Sequence, residues 1–563
     1  MVKMTLKSLD EIPLMAVSYE TMEWNKTGSW RHVRPIYVDR TAACRRGCPA
    51  GEPIPEYFAL AKESKYVEAW KRIMEENPLP GVCGRVCYHP CEKNCNRREF
   101  DEPIAIHYME RFVSDQVIDN KEPFPVIEDK KKQKIAVVGS GPAGLSCAYQ
   151  LGRRGYKVTL YESYSELGGM LRLGIPTYRL PREILDLEIN RILSLGIEVK
   201  INTTVGKDVQ LSDLKKEHDA VFIAIGAYQS KKLKIEGEET KGVMAGLTFL
   251  NAINAGKKME IGKKVAVIGG GNTAIDAART SIRMGSEVTI FYRRSRVEMP
   301  AVAEEVEAAE QEGVKIELLV APARVIAKEG KVTGLELIRM QLGEPDSSGR
   351  RAPVPIAGSN FAIEIDSVFT ALGEDSDLSF AEKNWLEWGK LKVNEQQMTV
   401  LDGVYAAGDC ATNPLGTVVD AIATGKKAAY AIHRSFGYKA PEIDLSNIVE
   451  YDNVNIVYFR KKPRIKQGEI NREERIKHFL EVNKGVNVDD ALLEMFRCFS
   501  CGLCTYCDNC LIFCPDAAVK RNKNGKGYAI DYDHCKGCGI CMEECPRASV
   551  SIIKEIEVSD EHK

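Results

Sequence analysis

Apolar positions in the middle of this 563-residue chain fall into one pattern, used twice. Residues 134–162, KIAVVGSGPAGLSCAYQLGRRGYKVTLYE, open on a run of consecutive apolar residues and turn through glycines. They then take up helical spacing and return to a second apolar run. Residues 264–292, KVAVIGGGNTAIDAARTSIRMGSEVTIFY, repeat this without a gap at an offset of 130. Continuous apolar strands bounded by turn residues suit a parallel sheet covered on both faces, so each copy predicts a strand–helix–strand unit. Residues 403–410, GVYAAGDC, predict a further short strand, followed by a helix from Thr417 (TVVDAIATGKKAA). The segments 120–133 and 437–495 are polar and charged, and read as a boundary and as a linker leading into a helix. No run of eighteen apolar residues predicts a membrane span, and Asp10, Glu11 and Glu20 argue against a signal peptide.

Charge adds exclusions. With 78 Lys+Arg against 80 Asp+Glu there is no basic excess to attract nucleic acid and no acidic solvating tail. Cysteine changes the picture more. Of 18 cysteines, six lie between Cys44 and Cys95 and ten between Cys498 and Cys545; only Cys147 and Cys410 fall between these groups. Disulfide frameworks belong to short exported chains. Two end clusters in a long chain without an export signal predict metal sites in a reducing cytoplasm, with Cys147 and Cys410 as small core residues.

The repeated unit is a dinucleotide-binding design. In the first copy Gly139 permits the tight turn, Gly141 lets backbone approach a pyrophosphate, and Gly144 seats helix on strand. The helix N-terminus then faces the phosphates. Glu162 ends the second strand where a ribose hydroxyl needs an acceptor. The second copy keeps Gly269, Gly271 and Ala274, but Tyr292 replaces the acid and Arg293, Arg294 and Arg296 follow. Guanidinium groups there would bind a 2′-phosphate, so this copy is expected to prefer NADP(H) over NAD(H). Asp409 would hold a ribityl hydroxyl, with the N-terminus of the following helix at the flavin.

At the C-terminal end, Cys504, Cys507, Cys510 and Cys514-Pro are followed by Cys535, Cys538, Cys541 and Cys545-Pro, each spaced C-x2-C-x2-C-x3-C-P. This is the two-cluster ferredoxin spacing, in which the distant fourth cysteine serves the other cluster. One [4Fe-4S] cluster is expected on Cys504, Cys507, Cys510 and Cys545, the second on Cys535, Cys538, Cys541 and Cys514. Zinc knuckles use paired rather than tripled spacing. Cys498 and Cys501 continue the rhythm upstream without an assignment.

From about Cys44 to Ala429 the chain resembles the small, beta subunit of NADPH-dependent glutamate synthase and the flavin region of dihydropyrimidine dehydrogenase. The stretches that carry this are NPLPGVCGRVCYHPCEKNC, VVGSGPAGLSCA, LGGMLRLGIPTYRLP, GGGNTAIDAAR, YRRSRVEMPA and AAGDC. The resemblance implies FAD on Gly139, Gly141, Pro142, Ala143, Gly144, Glu162, Gly168, Gly169, Met170, Arg179, Val205, Gly408, Asp409, Thr417, Val418 and Val419. It implies NADPH on Gly271, Asn272, Thr273, Arg293 and Arg294 and around Ala371 to Gly373. It also implies an N-terminal cluster on Cys48, Cys87 and Cys91, with Glu110 of HYMERFV as a non-cysteine ligand. Members of that family generally carry a further cysteine pair upstream of Cys44, which is missing here. Cys44, Cys83 and Cys95 would then supply a second, incomplete or rearranged site.

The expected fold is α/β, with two Rossmann-like domains, a helical iron–sulfur domain before them and an α+β ferredoxin domain after them. The boundaries read as 1–130 helical, 131–255 and 374–436 FAD-binding, 256–373 nicotinamide-binding, 437–495 linker and 496–563 ferredoxin. NADPH gives two electrons as hydride and iron–sulfur clusters take one at a time, so FAD is the needed converter. The expected activity is that of an FAD-dependent NAD(P)H:ferredoxin-type oxidoreductase, acting as the pyridine-nucleotide subunit of a larger complex. Its partner would be a ferredoxin or a low-potential catalytic subunit such as a 2-oxoacid oxidoreductase. The other readings are a glutamate synthase small subunit, against which the appended ferredoxin argues, and a scaffold without activity.

Overall fold

The computed structural model describes residues 26–120, 126–346, 349–412, 414, 416–523 and 525–555. The opening acids on which the signal-peptide reading rests, and residues 1–25 of the expected helical domain, lie outside them. Among the described residues no helix is long and apolar enough to cross a membrane.

The apolar runs of the two repeats become the centres of two five-stranded parallel sheets. In the first, the order is Val404–Ala406, Ala220–Ile223, Lys134–Val138, Lys157–Tyr161, Glu198–Lys200. The strand before Gly408 thus returns to the edge of the first unit, pairing Val404 with Val221. Both faces are covered, which is why Ile135, Ala136 and Val137 are fully buried without alternation. In the second sheet the order is Lys315–Leu318, Glu287–Tyr292, Lys264–Ile268, Ser367–Thr370, Val243–Ala245.

The structure moves three boundaries. Val243–Ala245 pairs in parallel with Val368–Thr370, so the second domain takes in this strand and the helix Gly246–Asn254. A short strand next to the inter-domain connection carries too little pattern to be assigned to either sheet. A four-stranded antiparallel excursion, Val320–Lys328 through Phe361–Glu364, also interrupts this domain. Second, Val33–Tyr37 forms an antiparallel pair with Val550–Lys554, so this part of the N-terminal segment belongs to the ferredoxin end. Arg31 and Arg34 fix the pairing by binding Glu555 at 2.8 and 2.6 Å.

Third, residues 437–495 are not a free linker. Their charges are spent on the N-terminal helices: Arg464 pairs with Glu92 at 2.6 Å, and Arg85 with Glu481 at 2.8 Å. The N-terminal helices, from Ala43–Gly47 to Ile106–Gln116, sit in turn on the flavin domain. Glu188 accepts hydrogen bonds from the backbone N–H groups of Gly81 and Val82 at 2.6 and 3.0 Å, and Tyr149 donates to the Met74 carbonyl at 2.7 Å.

The joint between the two nucleotide domains is a buried ion network. Glu312 accepts from Arg279 at 2.7 and 3.0 Å and from Arg283 at 2.6 and 3.0 Å, and both guanidinium groups stack on Tyr178. Burial pushes the Glu312 carboxyl up, but the bonds from Arg283 and Arg279 outweigh it and hold it down at about 2. Glu312→Ala leaves buried guanidinium groups short of a partner, and is expected to cost about 3–5 kcal/mol in denaturant unfolding. In the wild-type protein the carboxyl is held below its ordinary 4.5. Its stabilising contribution is therefore complete above that pH and fades as pH falls towards about 2. An acid-unfolding profile identical in the variant would refute this.

Candidate functional site

A cavity of about 480 Å³ opens at the carboxyl end of the first sheet, where doubly wound folds bind ligands. It is lined by the turn Gly139–Ala143, by Glu162, by Gly169 and Met170, by Val205, and by Gly408 and Asp409. Gly416, Thr417 and Val418 close it at the start of the helix Val418–Ser435. Thr417 caps this helix by accepting the Asp420 N–H at 3.2 Å, which leaves the first backbone donors turned to the cavity.

Gly139 has φ +99°, a conformation that disfavours side chains. A Cβ on Gly141 would meet nothing within 4 Å, so the backbone there is bare for a close ligand. A Cβ on Gly144 would stand 1.8 Å from the Gly139 carbonyl oxygen, so helix and turn touch. Glu162 is held at the strand end by Ser140 N–H at 2.9 Å, Ser140 hydroxyl at 2.5 Å and Tyr164 N–H at 2.9 Å. The Ser163 hydroxyl adds a fourth bond at 3.1 Å, which fills the carboxylate's about four acceptor positions, so a ribose hydroxyl would take the place of this neighbouring serine. The bare glycine turn, the placed acceptor and the helix N-terminus together fit an FAD.

Arg179 is corrected. It does not line the cavity; its guanidinium is bound by Asp276 at 2.8 Å and by Glu305 at 3.1 Å in the ion network between the domains. The buried Asp276 and half-buried Glu305 outcompete a cavity facing solvent for this cation. Gly168 and Val419 stand just behind the lining residues, next to Gly169 and Val418.

In the second unit Gly269 makes the same turn, with φ +144°, beside Ala371. Asn272 starts the helix Asn272–Arg283, and its side-chain amide accepts the Val302 N–H at 3.0 Å and donates to the Tyr88 hydroxyl at 2.5 Å. The three arginines part company. Arg294 is buried, ion-paired to Asp346 and bonded to the Arg351 carbonyl at 2.8 Å. Arg296 is paired to Glu310 at 2.6 Å. Arg293 is exposed at the strand end. The run of arginines therefore keeps two exposed basic side chains, Arg293 and Arg296, and loses Arg294 to the interior.

The cysteines form groups that alternate along the chain and meet in space. Cys504, Cys507, Cys510 and Cys545 face one another, as do Cys514, Cys535, Cys538 and Cys541; Cys541 also faces Cys510 of the other group. Burial and these neighbouring thiols push Cys510 up to about 11 and Cys541 to about 12. Backbone N–H groups of Ala518 and Ser549 donate to Cys514 and Cys545 Sγ at 3.3 and 3.4 Å, as suits thiolate ligands. Tyr37, from the N-terminal strand, donates to Cys510 Sγ at 3.2 Å. No local signal marks that residue, since its partner lies 473 positions away.

Cys48, Cys87 and Cys91 stand together with Glu110 in the N-terminal helices. Glu110 is buried and shares Asn77 with a second buried acid, Glu52, at 2.9 and 2.8 Å. Burial, then the adjacent Glu52, raise the Glu110 carboxyl well above its ordinary value. Glu52 was absent from the sequence expectations; its place four residues after Cys48 is the signal that could have found it. Cys83 also lies against Glu110 and Cys87. A tetrahedral zinc would draw sulfurs to about 3.8 Å from one another. Among the described residues, the group whose ligand atoms do come within 4.8 Å of each other is His89, Glu92 and His107, not one of these cysteine sets. The wider spacing fits polynuclear clusters. Cys147 and Cys410 are buried without thiol partners, in the apolar cores.

A flavin-sized cradle, a second nucleotide unit and cluster-forming thiols at both ends make this a flavin-dependent NAD(P)H oxidoreductase with iron–sulfur centres. The chain belongs to the pyridine nucleotide-disulphide oxidoreductase family, whose model matches residues 133–425. Within it the chain is similar to glutamate synthase small chains. Residues 37–122 match the 4Fe-4S domain II of dihydropyrimidine dehydrogenase, and 528–550 a 4Fe-4S binding domain. It is 40% identical to the NADPH-Fe(3+) oxidoreductase subunit beta of Geobacter sulfurreducens, over 83% of this chain and 76% of that one. Identity is also 40% to the NADP(+)-dependent formate dehydrogenase subunit beta of Moorella thermoacetica, over 82% and 70%. It is 36% to the glutamate synthase [NADPH] small chain of Escherichia coli K12, over 69% and 87%. These relatives are subunits of larger enzymes.

Proposed function

We propose that this chain is the pyridine-nucleotide port of a larger redox complex, exchanging electrons between NADP(H) and a low-potential iron–sulfur or catalytic partner. Bound FAD would supply the exchange between hydride and single electrons. The chain's own residues bind and orient. Gly139 to Gly144, Glu162 and Asp409 hold the flavin, and the N-terminus at Thr417 to Val418 faces it. Gly269 to Thr273 receive the nicotinamide nucleotide's phosphates, and Arg293 its 2′-phosphate. Cys48, Cys87, Cys91 and Glu110 hold one cluster, and the eight ferredoxin cysteines two more.

The observation that carries this reading is the contact between Tyr88 and Asn272. The residue next to Cys87 is bonded to the first residue of the nucleotide-binding helix, so the N-terminal cluster site abuts the nicotinamide domain. At the other end Cys507 and Cys538 are exposed, and the same domain carries an exposed apolar rim, Ile512, at 68%, and Phe513. That rim suits docking of a partner that takes single electrons, whether a ferredoxin or a catalytic subunit of the 2-oxoacid or formate type.

Anaerobic titration of the purified protein tests the reading. NADPH is expected to bleach one flavin per chain and to reduce a ferredoxin. Arg293→Ala should raise the KM for NADPH by about ten- to a hundredfold, the worth of a charge-assisted bond. Its KM for NADH should not move. Protein without flavin, or flavin unbleached by either nucleotide, would overturn the assignment.

A further inference from the structure

We propose that Cys44, Cys95, Cys498 and Cys501 hold an additional [4Fe-4S] cluster, with two ligands from each end of the chain. It goes beyond the ferredoxin and Glu110 sites and shares no ligand with them.

The backbone around each cysteine is tied to that around the others. Thr41–Ala42, just before Cys44, pairs in parallel with Ile448–Val449. Asn96, just after Cys95, donates from its amide to the Val449 carbonyl at 2.8 Å and to Cys501 Sγ at 3.5 Å. Arg97 is 2% exposed, and donates to the carbonyl of Arg497, the residue before Cys498, at 2.6 Å. Asp101 receives Arg97 at 2.7 Å and Arg497 at 3.2 Å. Gly502 has φ +77° and lies so close to Arg40 that a Cβ would be 2.1 Å from its carbonyl oxygen; Arg40 N–H bonds the Gly502 carbonyl at 3.2 Å. Two segments some four hundred residues apart are thus clamped on both sides of the thiols.

The four thiols are near enough to raise one another electrostatically: Cys44 is affected by Cys95, Cys498 and Cys501, Cys95 by Cys498, and Cys501 by both. No disulfide joins them. Four neighbouring thiols with no cross-link, held by clamped backbone, are a ligand set. The Ser500 N–H donates to Cys498 Sγ at 3.3 Å, the same kind of bond that Cys514 and Cys545 receive in the ferredoxin domain. Hydrogen bonds to sulfur are one of the means by which proteins tune such clusters. Phe499, buried against Phe100 and Phe459, shields this side from water. None of the four belongs to a group tight enough for a single ion.

The position also gives the site a use. Arg547 donates to the Phe499 carbonyl and, at 3.4 Å, to that of Cys498, while its Nε donates to Thr505, beside Cys504, at 3.3 Å. The site therefore lies between the N-terminal helices and the ferredoxin cluster on Cys504, Cys507, Cys510 and Cys545. There it would pass single electrons on, gaining one from one neighbour and losing one to the other, with no bond made or broken.

The test is anaerobic iron, sulfide and zinc content of the full chain after cluster reconstitution, with flavin measured alongside. The wild-type protein is expected to carry about sixteen irons per chain, four per cluster. Cys498→Ser with Cys501→Ser should lose about four of them, and Cys44→Ser with Cys95→Ser the same four. The fourfold variant should lose about four as well, not eight, because both pairs serve one cluster. Losses that add between the pairs, an iron content unchanged by either pair, or one zinc in place of four irons would each overturn the proposal. Circular dichroism and flavin content identify a variant that has failed to fold. In that case Cys498→Ser alone, read by the loss of one electron paramagnetic resonance signal, decides. Loss of the flavin or of the ferredoxin signals in wild-type protein would instead count against the proposed function.

Discussion

Gly144→Val is expected to strip the flavin from a protein that otherwise folds. The helix Pro142–Gly152 starts so close over the turn that a Cβ at residue 144 would stand 1.8 Å from the Gly139 carbonyl oxygen. Carbon and oxygen approach no nearer than about 3.3 Å even in favourable contacts. The turn cannot retreat. Gly139 N–H is bonded to the Tyr161 carbonyl at 2.8 Å, and behind it a Cβ on Gly139 would already meet the Ala224 carbonyl at 2.4 Å. The helix has to move, and with it the backbone that cradles the pyrophosphate and the Ser140 N–H that holds Glu162. In the second unit the matching residue is Ala274, buried, so one carbon is within reach of the design and the test uses a branched side chain. Overpacking of about 1–3 kcal/mol predicts flavin binding weakened by roughly ten- to a hundredfold. Flavin absorbance per chain after gel filtration reads this directly, with iron content and circular dichroism as controls for the fold. Full flavin occupancy in the variant would show that the cavity is not the flavin site.

The reach of sequence reasoning follows the reach of the interactions involved. The two nucleotide units were legible because their chemistry is local: a turn needs glycine, a buried parallel strand needs an apolar run, and both lie within thirty residues. The return of Val404–Ala406 to the first sheet was legible from the Gly408-Asp409 signature. What depends on partners far along the chain was not. Val33–Tyr37 is an unremarkable strand until Val550–Lys554 lies beside it. The resemblance puts Arg179 on the flavin, whereas Asp276 and Glu305 bind it between the domains. The basic run after Tyr292 reads as three phosphate ligands, but Arg294 is buried against Asp346, and Arg296 shares a surface ion pair with Glu310. Cys498 and Cys501, without an assignment in the sequence, acquire a setting only when residues 40–44 and 95–97 come up against them. The apparent linker 437–495 failed for the same reason. A charged segment looks solvated unless its counter-ions, here Glu92 and Arg85, are known to be near.

Cys541→Ser should separate the two halves of the activity. Cys541 is buried at the centre of the ferredoxin domain, where its thiol faces Cys514, Cys535 and Cys538 and also Cys510 of the neighbouring group. A serine hydroxyl there is a poor donor for iron beside three thiolates, and a missing ligand opens the cluster to water. Changes in the surroundings of a metal ligand cost about 10- to 100-fold, so loss of the ligand itself should lower electron delivery to a protein acceptor by at least about a hundredfold. Iron should fall by about four per chain. The flavin cavity shares no residue with this domain, so bleaching of the flavin by NADPH measures whether the first half still runs. Stopped-flow absorbance at the flavin and cluster bands, followed by turnover with a ferredoxin, distinguishes the outcomes. If turnover with the protein acceptor survives loss of this cluster, electrons leave from the flavin or from the N-terminal sites. The exposed rim at Ile512 and Phe513 is then not the exit. If both steps fail together, the ferredoxin domain is holding the nucleotide domains in place through Val33–Tyr37 and residues 437–495 as well as carrying electrons. A fall in turnover alone, with flavin bleaching intact, places the exit at Cys507 and Cys538, where the two ligand groups reach the surface.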